Sequence, residues 1–138
     1  MCRQQSSVPA SVYDQAWQAA YRHKWIESEQ QRRDLGDAAL KDWNERFFKR
    51  FGRWCLWQHL IGKQFFHEFP GSHFNTLPEK KPTEMNTIER TVIHCFWDGL
   101  ENLNIFNFAH ECGLPGEQVT VVLSTLHINE GRLDPLVK

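Results

Sequence analysis

Nothing in this sequence approaches the roughly 20 consecutive apolar residues of a bilayer span, so a transmembrane helix is not expected. The polar start MCRQQSS lacks the apolar stretch of an export signal, and the expectation is a cytoplasmic protein with reduced thiols. Cysteine is sparse. Cys2, Cys55, Cys95 and Cys112 form no CxxC pair, which argues for free, mostly buried thiols over a disulfide scaffold. Also absent are a GxxxxGKS/T loop, a GxGxxG after a strand, a GxSxG elbow and an HExxH pair, so the main motif-readable enzyme classes are disfavoured. No cofactor is expected.

What is present is a chain of 138 residues, enough for a single domain with its own core. Six Trp and ten Phe give an aromatic share of 13%, which predicts a core built on large flat side chains. The formal net charge of −1 hides an asymmetry, because residues 1–69 carry 11 Lys and Arg against 8 Asp and Glu while residues 70–138 carry 5 against 9. Basic chemistry belongs to the first half.

The spacing predicts an all-α fold. Ser7, Val8 and Pro9 suit a helix start, and the stretch through Gln31 has neither Gly nor Pro and places Tyr13, Trp17, Ala20, Tyr21 and Trp25 at helical spacing. Gly36 breaks that helix, and Asp34 or Asp37 can cap the next, read over residues 37–68. Residues 8–69 thus form a long aromatic helical hairpin. On its second helix Leu40, Trp43, Phe47, Phe51, Trp54, Cys55, Phe65, Phe66 and Phe69 share an arc expected to face the core. Opposite lie Arg46, Lys49, Arg50 and Arg53, joined by Trp57, Leu56 and Leu60. A helix apolar on both sides is either central or covered by a partner. Residues 70–85 read as a Pro-rich loop. A capping-box start at Asn86 and Glu89 opens a tri-helical part over residues 86–128, with 129–138 as a tail. Within it the run from Val119 to Val122 also suits a strand.

Phe108 to Leu114, followed by Val119 and Val122, resembles the helix-turn-helix motif of many DNA-binding proteins. Ala109 matches the small residue between the helices, Gly113 the turn, and Val119 and Val122 the anchors of the second helix. The resemblance implies a recognition surface at Pro115, Gly116, Glu117, Thr120, Val121 and Ser124, which holds no Lys or Arg and so suits phosphate poorly. The stretch His23-Lys24-Trp25 with Ser28-Glu29 and Arg33-Asp34-Leu35-Gly36 is similar to uncharacterised bacterial helical domains, which implies a prokaryotic helical protein.

Two sets of metal-ligating residue types stand out. His23 and Glu27 lie one turn apart, and with His59, His67 and Glu68 could complete a site for acid–base or metal chemistry, although a structural pair is the simpler reading. His94-Cys95 and His110-Glu111-Cys112 carry zinc-ligand types without finger or ribbon spacing. The expected function is a non-catalytic interaction module that uses Arg46, Lys49, Arg50, Arg53, Leu56, Trp57 and Leu60 on the far face of the second helix to bind a protein partner or a second copy. The alternatives are nucleic-acid binding by the basic ridge or the helix-turn-helix-like region, and a metal-dependent helical enzyme.

Overall fold

The computed structural model describes residues 6–137, without the side chains of Ser6 and Ser7; Cys2, read above as a reduced thiol, lies outside the described residues. The chain is all-α. Its elements are β1 (Ser6–Ala10), α1 (Val12–Gln31), α2 (Asp37–Leu60), β2 (Gln64–Phe66), α3 (Thr87–Trp97), α4 (Asn102–Glu111) and α5 (Gly116–Leu126). Short 3-10 turns cover Gly71–His73, Pro82–Glu84 and Ile128–Gly131. No helix among the described residues is long and apolar enough to cross a membrane.

The segment read as a helix start is instead extended. β1 pairs in parallel with β2 in a two-stranded ribbon, and Ser11 caps α1 by accepting from the Asp14 amide. Glu68 completes this end, since its carboxylate accepts from the Ser11 hydroxyl at 2.6 Å and the Val12 amide at 2.8 Å. Those are two contacts the positive end of a helix favours. Burial opposes ionisation there, but the bonds from Ser11 and Val12 hold the Glu68 carboxyl below its usual range.

α2 stops at Leu60, short of the expected residue 68. Gly62 follows in the left-handed region at φ 80°, and a Cβ there would meet the Asn75 side chain at 2.5 Å, so the reversal requires glycine. At the α1–α2 corner Gly36 itself is the N-cap, at φ 61°, while Asp34 accepts from the Gly36 amide at 2.9 Å. The capping box of Asn86 and Glu89 is present at the start of α3.

Small residues set the hairpin contact: Ala16 and Ala20 of α1 are fully buried against a cluster holding Leu40, Trp43 and Phe48 of α2. A second, larger core gathers Cys55, Leu56 and Leu60 of α2 with Phe66, Phe69, Val92, Cys95, Phe96, Ile105, Val119 and Leu126. The run from Val119 to Val122 is helical, within α5. Residues 129–137, read as a tail, return along α2. Asn44 accepts from the Leu136 amide at 2.8 Å and donates to the Val137 carbonyl, and Leu136 enters the hairpin core.

Candidate functional site

The basic face of α2 does not survive as a ridge. Arg53, expected at the surface, is only 1% exposed because the C-terminal end of α3 arrives over it. Its guanidinium donates to the Phe96 carbonyl at 2.7 Å, the Leu100 carbonyl at 2.9 Å and the Glu101 carboxylate at 3.3 Å, and lies over the Phe96 ring. The Phe96 carbonyl in the last turn of α3, which also accepts from the Gly99 amide, and the Leu100 carbonyl just beyond it thereby gain a cationic donor. Glu101 also accepts from Lys49 at 3.0 Å and Arg132 at 2.9 Å. Burial disfavours its charge, yet the bonds and charges of these cations hold its carboxyl below the usual range.

Of the remaining ridge, Arg46 is held by Asp42 at 3.0 Å, which leaves Arg50 exposed and without a carboxylate partner among the described residues. Leu56 and Leu60 are fully buried, covered by the chain itself. Trp57 is half-buried against Phe96 and Trp97. The far face of α2 is therefore interior along most of its second half, and it offers no continuous partner surface.

The histidines expected to cooperate are kept apart. His23 pairs with Asp42 at 2.9 Å, and Asp42 is far from His59 on the same helix, about 25 Å at 1.5 Å per residue. Glu27 lines the same small recess as His23 and Asp42. Buried His59 uses both ring nitrogens, Nδ1 accepting from the Phe66 amide at 3.1 Å and Nε2 donating to the Pro70 carbonyl at 2.9 Å. It has no lone pair left for a metal, and desolvation among Phe65, Phe69 and Phe74 lowers its pKa. His67 is exposed. Of the cysteines, Cys55 and Cys95 are buried and Cys112 is exposed. Burial pushes the Cys55 thiol up to about 12.

In the C-terminal helices Ala109 and Val119 are buried, Val122 packs on the same core, and Gly113 turns the chain at φ 79° between α4 and α5. Glu117, Thr120, Val121 and Ser124 are exposed, but the Thr120 and Ser124 hydroxyls donate to the Gly116 and Val121 carbonyls of their own helix.

Two features escaped the sequence reading. Tyr21 and Trp25, whose spacing suggested core, stand on the outer face of α1 with 54% and 66% exposure. They flank an open groove of about 570 Å³ that continues over Lys24, Ser28, Arg32 and Arg33 at the corner. The second is a convergence of His73, His127 and Glu130. Their potential ligand atoms lie within 4.8 Å of one another, the one such group of three found among the described residues. His73 sits in the loop and His127 at the end of α5, so no spacing in the sequence joins them. No protein-family model, no curated protein and no solved structure matches this chain.

Proposed function

We propose that the chain is a non-catalytic interaction module whose contact surface is the outer face of α1 and the α1–α2 corner. The observation that carries this reading is the exposure of Tyr21 and Trp25 one turn apart, beside Arg32 and Arg33. Trp, Tyr and Arg are the residues on which interface energy concentrates, and large exposed aromatics are costly to leave in water. Lys24, Arg32 and Arg33 outnumber Glu29 and Asp34 around the groove, so the fitting partner is an acidic protein segment with an apolar anchor. A second copy fits less well, because a two-fold contact brings the same arginine pair together from both chains. Nucleic acid is also less well supported, with only Arg50 of the α2 ridge still free and no cation on the α5 face.

Selection of displayed peptides on the full chain tests this. The expected binders enrich Asp and Glu around one bulky apolar residue, and Trp25→Ala weakens them by about 2 kcal/mol, the usual scale of an aromatic hot spot. Binders indifferent to Trp25→Ala and Tyr21→Ala, or none above background, would sink the reading.

A further inference from the structure

We propose that His73, His127 and Glu130 bind one divalent first-row transition ion, Zn²⁺ in the first instance, with water completing the coordination. The site is separate from the α1 surface and does not depend on it. Both histidines present Nδ1 to the same oxygen, Oε1 of Glu130, at 3.5 Å from His73 and 3.6 Å from His127. These distances are too long for charge-assisted hydrogen bonds, which run about 2.7–2.9 Å. They match the edge of a tetrahedral site, where metal–ligand bonds of about 2.0–2.1 Å hold neighbouring donors about 3.4 Å apart.

The two rings stack at 3.7 Å with 9° between their planes. A ligating imidazole directs its lone pair in the plane of its ring, so one of the two rings must turn out of the stack for both to share an ion. His73 Nδ1 is buried with no hydrogen-bond partner, an orphan that a cation satisfies. The three side chains are only partly covered, with 24%, 26% and 34% exposure, which leaves a route for the ion and room for water.

Backbone geometry also sets the site. His127 ends α5 in the left-handed region at φ 48°, an uncommon conformation for a side-chain-bearing residue, and from there Glu130 follows one 3-10 turn later. His73 closes the Gly71–His73 turn in the loop that joins β2 to α3. An ion at this point cross-links that loop to the end of α5, and imidazole with carboxylate suits zinc, cobalt and nickel better than calcium or magnesium.

The test is calorimetric titration of the chelator-stripped full chain with ZnCl₂, repeated with CoCl₂ so that the visible cobalt spectrum reports ligand type. One equivalent is expected, with a rise in Tm. Loss of one ligand should exceed the 10–100-fold typical of a supporting partner, so His73→Ala and His127→Asn should each weaken binding by about 100-fold or more. Asn tolerates the left-handed backbone at 127, and circular dichroism checks that each variant is folded. Should His127→Asn fail to fold, His73→Gln on the loop carries the same comparison. Cys112→Ser should leave the affinity unchanged. Absence of stoichiometric zinc or cobalt binding would overturn the proposal, as would binding retained in folded His73 variants.

Discussion

Replacing Arg53 with alanine is expected to destabilise the protein by about 3–5 kcal/mol, the range found when one partner of a buried charged contact is removed. Three acceptors lose one donor each: the Phe96 carbonyl, which keeps the Gly99 amide, the Leu100 carbonyl, and the Glu101 oxygen that Lys49 also contacts. Glu101 keeps Lys49 and Arg132, so the main damage falls on the Leu100 carbonyl, on the weakened set of bonds at Phe96 and on the volume vacated over the Phe96 ring. Domains of this kind are stable by only about 5–15 kcal/mol, so the loss is a large fraction of the total. Arg53→Lys should recover part of it at most, because a single ammonium cannot reproduce the planar fork that reaches three oxygens. Urea midpoints of the three proteins check this. A midpoint for Arg53→Ala close to wild type would place Arg53 in solvent and restore the basic ridge.

Leu60→Arg is expected to abolish the native fold. The side chain is fully buried, and its neighbours in the core are apolar: Leu56, Phe66, Phe69 and the α3 face around Phe96. An unpaired guanidinium there costs several kcal/mol in desolvation alone, and the longer side chain adds overpacking. Trp25→Arg, by contrast, falls on an open surface and should change the stability by less than about 0.5 kcal/mol. Cooperative thermal unfolding, followed by near-ultraviolet circular dichroism, separates the two. If Leu60→Arg unfolded like wild type, the far face of α2 would be a free surface after all.

Local chemistry was legible in the sequence. The Asn86–Glu89 capping box, the Gly113 turn and the α1–α2 break each depend on a few neighbouring residues, and each forms where the sequence predicts. What periodicity could not show is which neighbour a helix face meets. Arg50 and Arg53 look equivalent along α2, but α3 ends over one and water covers the other. Phe47 and Trp54 share the predicted core arc and stay 37% and 44% exposed, while Phe48 turns inward beside Trp43. The helix changes partners along its length, α1 packing on its first half, α3 on its second and the returning C-terminal segment running along both, so no single arc describes it. On α1 the eye goes to aromatics at helical spacing, yet Ala16 and Ala20 make the contact because small side chains let the helices approach. The β1–β2 pairing and the His73–His127–Glu130 convergence join distant segments and leave no periodic signal.

Hydroxyl-radical footprinting of the free chain, read residue by residue by mass spectrometry, measures which of these faces water reaches. The free surface lies on α1, and the far face of α2 is interior along most of its second half. Rapid oxidation of Tyr21 and Trp25 is therefore expected, with Leu56 and Leu60 unmodified under the same dose. Labelling of Leu56 and Leu60 with protection of Trp25 would contradict this arrangement.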